Sequence, residues 1–191
     1  MQVEALIIPG AKLITPCRFG DARGYFTESY TQNRFVEAGI DQRFVQDNEA
    51  FSANAGTVRG LHCQLPPHAQ VKLVRAVTGR ICDVIVDARK GSPAFGKTLS
   101  VILDSALGNQ LLVPRGCLHG YATLEPDTLI AYKVDAFYDA ESDTSIAWND
   151  PDLGLDWQMD GLTPILSDKD QTGQAWASFE SPFVFDANTA E

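Results

Sequence analysis

Lys72-Leu73-Val74-Arg75-Ala76-Val77-Thr78-Gly79-Arg80-Ile81-Cys82-Asp83-Val84-Ile85-Val86-Asp87 holds two apolar, β-branched runs separated by Thr-Gly. Such residues favour the pleated surface of a sheet, and glycine supplies the backbone freedom that a tight turn needs. The stretch reads as a β-hairpin, the clearest in the chain. Working outward, the same pattern recurs between Gly, Pro, Asp and Asn, with strands predicted over residues 2–8, 24–30, 44–52, 58–64, 70–78, 80–87, 97–103, 109–113, 119–124 and 128–134. Short strands at this spacing predict an all-β, antiparallel sandwich or barrel.

The chain has 191 residues, 45% hydrophobic and 21% charged, which suits one domain with a sizeable core. A helix is expected where Thr31 can cap a run through Arg34, Phe35, Val36 and Ala38, with Gly39 as its stop. After Trp148 the pattern turns polar and turn-rich. The expected organisation is a single domain over 1–191, a β core at about 40–140 carrying a C-terminal extension at about 141–191.

Fifteen Lys and Arg against 25 Asp and Glu give a net charge of −10, a field that repels nucleic acid and anionic membranes. No apolar run approaches the ~20 residues that span a bilayer, and residues 5–9 are too short for a signal-peptide core. A cytoplasmic location is therefore expected. Cys17, Cys63, Cys82 and Cys117 form no Cys-x-x-Cys pair and read mostly as small buried hydrophobes.

Of three histidines, His68 sits between turn signals in Pro66-Pro67-His68 and reads as exposed. The other two lie in strand patterns, His62 in Arg59-Gly60-Leu61-His62-Cys63-Gln64 and His119 in Pro114-Arg115-Gly116-Cys117-Leu118-His119-Gly120. Singly, either could be a structural core histidine; two in similar settings point to a shared site. Barrels of the cupin type carry two comparable segments, and the second is intact here as Pro114, Gly116 and His119. In the first, Gln64 stands where a metal-binding histidine would be and Lys72, with six residues between it and Gly79, where a carboxylate would be. An ammonium has donors and no acceptor, so this set does not suit a cation; a zinc reading would rest on His62, His119 and Cys63.

Without a metal or other cofactor, two imidazoles and a buried ammonium suit proton abstraction beside a carbonyl, with the lysine stabilising the oxyanion. Inverting a stereocentre also needs an acid on the far face. Tyr132, in Ile130-Ala131-Tyr132-Lys133, is the candidate, against its plainer reading as a core aromatic.

From Phe19 to Asp170 the sequence resembles the dTDP-4-dehydrorhamnose 3,5-epimerase family. The resemblance is carried by Phe19-Gly20-Asp21-Ala22-Arg23-Gly24-Tyr25-Phe26-Thr27-Glu28, Phe44-Val45-Gln46-Asp47-Asn48, Val58-Arg59-Gly60-Leu61-His62-Cys63-Gln64 and Gln70-Val71-Lys72-Leu73-Val74. It continues through Asp83-Val84, Asp87-Ala88-Arg89, Ser92-Pro93, Pro114-Arg115-Gly116, His119-Gly120-Tyr121, Tyr132-Lys133 and Leu166-Ser167-Asp168-Lys169-Asp170. It implies a cupin-like jelly roll, paired as a homodimer with an N-terminal strand reaching the neighbour, that epimerises carbons 3 and 5 of dTDP-4-keto-6-deoxy-D-glucose in dTDP-L-rhamnose biosynthesis.

By the resemblance, His62 is the base, Asp170 the carboxylate that orients it, Lys72 the partner of the keto oxygen, and Tyr132 the acid. His119 lines the same pocket. Arg23, Arg59 and Lys169 correspond to diphosphate- or sugar-contacting cations, and Glu28, Gln46, Asp47, Asn48, Gln64 and Asp143 to polar substrate contacts. Tyr138 and Phe26 correspond to stacking or wall aromatics. The chain departs from the family's usual pattern at Pro66-Pro67-His68, at Cys117 and Tyr121, where phenylalanine is frequent, and at Asp143, where glutamate is usual. Three competitors are a single-carbon epimerase, a metal-dependent cupin oxygenase and a non-catalytic sugar-nucleotide-binding protein.

Overall fold

From Ile81 to Asp87 every residue is buried. A strand without an exposed face needs a cover on each side. The computed structural model describes residues 1–187, so the last four residues of the expected extension, 188–191, lie outside the described residues. Ile81 and Ile85 look into the space between two sheets, where they meet Val74, Leu111 and Ile130. The alternate residues Cys82, Val84 and Val86 pack under the C-terminal segment, against Leu153, Trp157 and Phe183.

The first sheet has six strands in the order β1 (Gln2–Ala5), β2 (Lys12–Thr15), β10 (Gln110–Val113), β7 (Lys72–Thr78), β12 (Thr128–Val134) and β5 (Gln46–Ser52). Five strands form the second, in the order β13 (Asp143–Ser145), β6 (Val58–Gln64), β11 (Cys117–Thr123), β8 (Arg80–Asp87) and β9 (Thr98–Asp104). A separate hairpin joins β3 (Arg18–Asp21) to β4 (Gly24–Thr27). Every strand pairing is antiparallel, and the whole is a cupin-like jelly roll.

The expected hairpin at Thr78-Gly79 does not form. β7 pairs with β10 and β12, whereas β8 pairs with β11 and β9, so the chain crosses from one sheet to the other at Gly79. Gly79 has φ +73, and a Cβ there would stand 2.3 Å from Thr128 Oγ1. The glycine makes a tight corner against β12 rather than a two-strand turn.

Strands 58–64, 80–87 and 128–134 have the bounds expected of them. The segment expected over 2–8 ends at Ala5, and the chain doubles back through a Leu6 N–H to Ala11 carbonyl bond into β2, which was not expected. Helix α1 (Gln32–Glu37) follows Thr31, whose side chain makes no cap hydrogen bond, and ends before Gly39 at φ +74. Its Phe35 joins Ile40, Ile14, Leu73 and Leu112 on the outer face of the six-stranded sheet. Cys63, Cys82 and Cys117 are buried thiols, and Cys17 is exposed.

The C-terminal segment is tied to the barrel by parallel bridges at Thr57–Ile165, Ile146–Gln174 and Lys90–Val184. The first of these delivers the short helix α2 (Asp168–Gln171) to the side of β6. Among the described residues no helix is long and apolar enough to cross a membrane.

Candidate active site

Strict alternation along β6 would put Arg59 and His62 on opposite faces. They share a face because the strand bulges: His62 lies opposite His119 while Arg59 lies opposite Tyr121, so three steps on β6 match two on β11. Gly60 occupies the extra step at φ +130, where a Cβ would stand 2.5 Å from the Gly120 Cα. Its N–H donates to Asp170 Oδ1 at 3.0 Å. The bulge therefore turns two side chains inward and anchors the carboxylate beside one of them.

The resulting cavity, about 270 Å³, is lined by His62, Lys72, His119, Tyr121, Tyr132 and Asp170, with Arg59, Ala50, Ser167 and Lys169 at its margins. A second hollow of about 400 Å³ adjoins it, sharing His62, Lys72, Tyr132 and Lys169, and extends past Gln46, Asn48, Gln64, Tyr138 and Asp143. Lys72 and Tyr132 come from the six-stranded sheet; the histidines come from the five-stranded one.

His62 Nε2 lies 2.7 Å from Asp170 Oδ1, off the line of an ideal N–H···O bond but at ion-pair distance. Because a carboxylate only accepts, Nε2 holds the proton and Nδ1 keeps its lone pair. Asp170 also accepts from Ser167 Oγ at 2.5 Å. Burial raises the Asp170 carboxyl, but His62, Ser167 and the Gly60 N–H outweigh it and hold the group down at about 2. His119 is built alike, its Nε2 2.9 and 3.1 Å from the two oxygens of the fully buried Asp83. Burial outweighs that carboxylate and holds the His119 imidazolium below its ordinary pKa, with Lys72 and His62 acting the same way.

Desolvation lowers the Lys72 ammonium's pKa, partly offset by Cys63, Asp143 and Asp83. Tyr132 is raised by burial, which keeps its phenol protonated. The Cys63 thiol is pushed up to about 12 by burial and is inert as a nucleophile. Among the described residues no three His, Cys, Asp or Glu side chains group as metal ligands would.

Other sequence candidates fall into three groups. Gln46 and Asn48 border the second hollow, with Gln46 Nε2 donating to Asn48 Oδ1 at 2.8 Å. Tyr138 donates to Asp143 Oδ2 at 3.3 Å, and Lys169 pairs with the same carboxylate. Gln64 reaches this hollow, but its amide is engaged by the His68 and Phe137 carbonyls and by the Asp139 N–H. Asp47 departs from expectation: alternation on β5 turns it to the outer face, where it is 72% exposed and pairs with Lys133 at 2.7 Å.

Arg23, Phe26 and Glu28 are also not brought to the cavity of their own chain. Arg23 pairs with Asp21 at 2.6 Å on the β3–β4 hairpin, Glu28 pairs with Arg34 at 2.8 Å, and Phe26 is 65% exposed. Sequence reading missed Asp83 and Tyr121 as parts of the site. An aspartate inside an apolar strand run demands a buried partner, and Tyr121, two residues after His119, shares its face.

A base backed by a carboxylate, a desolvated cation and a protonated phenol on facing walls can move protons at carbons beside a carbonyl. With the jelly roll that encloses them, they define a cupin-like epimerase. The chain belongs to the dTDP-4-dehydrorhamnose 3,5-epimerase family, whose model matches residues 5–178. It is 49% identical over 172 residues to the dTDP-4-dehydrorhamnose 3,5-epimerase of Sinorhizobium fredii, covering 90% of this chain and 88% of that one. The crystal structure of the Bacillus anthracis enzyme with TDP and PPi bound superposes with a TM-score of 0.88 at 46% identity, covering 91% and 98% of the two chains. The Legionella pneumophila dTDP-6-deoxy-D-glucose-3,5-epimerase, in complex with dTDP-4-keto-L-rhamnose, gives 0.92 at 38%, covering 97% and 99%.

Proposed function

We propose that the chain epimerises carbons 3 and 5 of dTDP-4-dehydro-6-deoxy-D-glucose to give dTDP-4-dehydro-L-rhamnose. The observation that carries the reading is His62 set against Asp170 in a cavity shared with Lys72 and Tyr132. Nδ1 of His62 takes the proton from the carbon beside the 4-keto group, and the electron pair moves onto the keto oxygen, which Lys72 stabilises. Tyr132 or water returns a proton to the opposite face, and exchange with solvent takes the proton from His62 and restores the Tyr132 phenol before the second centre reacts. The ketone acidifies both neighbouring carbons, so one base serves two centres. Two proton transfers need no redox partner.

Lys169 and the polar groups of the adjoining hollow face the diphosphate and nucleoside in this reading, and Arg59, on the first cavity, contacts the sugar or its phosphate. A few cations gathered at one pocket bind a small dianion despite the chain's net charge of −10. The unshared position of Arg23, Phe26 and Glu28 supports a homodimer in which the β3–β4 hairpin completes the neighbour's site. Unpaired thiols accord with a reducing cytoplasm. The extension, which buries Trp157 and Phe183 on the barrel and carries Asp170, is read as part of a single domain.

The test is incubation with dTDP-4-keto-6-deoxy-D-glucose in deuterated water. Deuterium at carbons 3 and 5 is expected. Label at one carbon means a single-site epimerase, and no label at either overturns the reading.

A further inference from the structure

Tyr121 is 5% exposed, and its hydroxyl has no hydrogen-bond partner among the described residues. A buried hydroxyl left unpaired is costly, and phenylalanine fills the same volume without that cost. The nearby carboxylates already accept from other groups, Asp83 from His119 and Asp170 from the Gly60 N–H and Ser167, with His62 at ion-pair distance, and neither accepts from Tyr121. Arg59 directs an N–H to the Phe51 carbonyl. Gln42 Oε1 and Ser52 Oγ are buried without partners among the described residues as well, but neither lines this cavity; His62 Nε2 and the Tyr121 hydroxyl belong to cavity residues, and of these only His62 has a carboxylate at ion-pair distance.

The position is as specific as the chemistry. Tyr121 follows His119 by two on β11, stands opposite Arg59 on β6 and opposite Asp83 on β8, and forms the cavity wall beside His62, Lys72 and Tyr132. In the dTDP-sugar reading, the cavity that holds His62 and Lys72 is the end that takes the hexose. Burial pushes the phenol above its ordinary pKa, so it is a donor at neutral pH.

We infer that the Tyr121 hydroxyl is a substrate-positioning group that donates a hydrogen bond to an oxygen of the bound hexose. The inference rests on the dTDP-sugar reading of the cavity. Bound substrate supplies an acceptor that the described residues do not.

Tyr121→Phe removes this one atom. The probes are dTDP and dTDP-D-glucose, which lacks the ketone and is not turned over. In the variant, dTDP-D-glucose affinity is expected to fall about tenfold, dTDP affinity to stay unchanged, and the melting temperature of the free protein to stay level or rise. KM for the keto sugar should rise about tenfold with kcat within about twofold, because the bond exists before the proton moves. A destabilised free protein would show an internal partner and overturn the inference. Equal weakening of both ligands, or no weakening of either, overturns it as well. Wild-type deuterium exchange separates the two readings: absent exchange removes the epimerase reading while the affinity comparison still decides Tyr121, and normal exchange with unchanged affinities removes only the role of Tyr121.

Discussion

Nε2 of His62 on β6 and Oδ1 of Asp170 on α2 lie 2.7 Å apart, so a carboxylate from the C-terminal segment backs an imidazole inside the barrel. In the proposed mechanism the carboxylate keeps the proton on Nε2 and stabilises the imidazolium that forms when Nδ1 accepts a second one. Asp170→Asn retains an acceptor for the Gly60 N–H but removes the charge. Single-turnover deuterium exchange at carbon 3 should slow by about 10³-fold in this variant. A loss below about tenfold would remove Asp170 from the mechanism.

The same carboxylate links stability to acid. Its folded pKa, about 2, lies below the ordinary carboxylate value of 3.8, so its contribution is complete above the unfolded value and disappears as pH falls through about 2. The size of this contribution is about 2 kcal/mol. Urea unfolding of the wild type and of Asp170→Asn should therefore differ at pH 5, and the gap should close as the pH drops from about 4 to about 2. A gap that stays constant through the acid range would contradict the depressed pKa.

Gly60 holds the bulge that turns His62 inward. Gly60→Ala places a methyl 2.5 Å from the Gly120 Cα and 2.9 Å from the His119 carbonyl oxygen, in a backbone conformation that alanine avoids. Backbone atoms on a central strand cannot step aside cheaply. The expected cost is about 3 kcal/mol or more, measured by urea unfolding, and any folded fraction should lose activity because the Asp170 anchor moves with the bulge.

Much of the fold was legible because a buried strand writes itself as an apolar run: β6, β8 and β12 have the expected bounds. Partnership was not. Thr78-Gly79 marks where the chain bends, but which strand lies beside β7 depends on contacts with β10 and β12 from distant sequence. β3, with Gly20 and Asp21 in four residues, and the three-residue β13 carry too little apolar pattern to stand out. At the site, period two separates Asn48, which reaches the pocket, from Asp47, which does not. The same rule fails for Arg59 and His62, since the bulge that unites them depends on the packing of Gly60 against Gly120.

Tyr132 and His62 line one cavity from facing sheets, which in the proposed mechanism sets the phenol on the wall opposite the base. Tyr132→Phe leaves abstraction by His62 intact and removes the far-face proton. Net epimerisation should fall about 10²- to 10³-fold, while deuterium exchange with retained configuration, through return from His62, falls less. Product configuration and label content, read by NMR on the same sample, check both. Equal loss of exchange and inversion would argue against Tyr132 as the acid.

The hairpin carrying Arg23 and Phe26 predicts complementation between dead chains. In a homodimer whose sites are completed in trans, His62→Ala spoils the site of its own chain, and Arg23→Ala spoils the site of its neighbour. A mixed dimer of the two variants then contains one site with both defects and one with neither. Random pairing makes half of all dimers mixed, so co-refolded equimolar variants should regain about a quarter of wild-type activity, while each alone stays near background. If the hairpin served its own chain, every site in the mixture would carry one defect and no activity would return. Light scattering on the mixture confirms that dimers are present, so a lack of recovery in dimeric material would refute sharing rather than pairing.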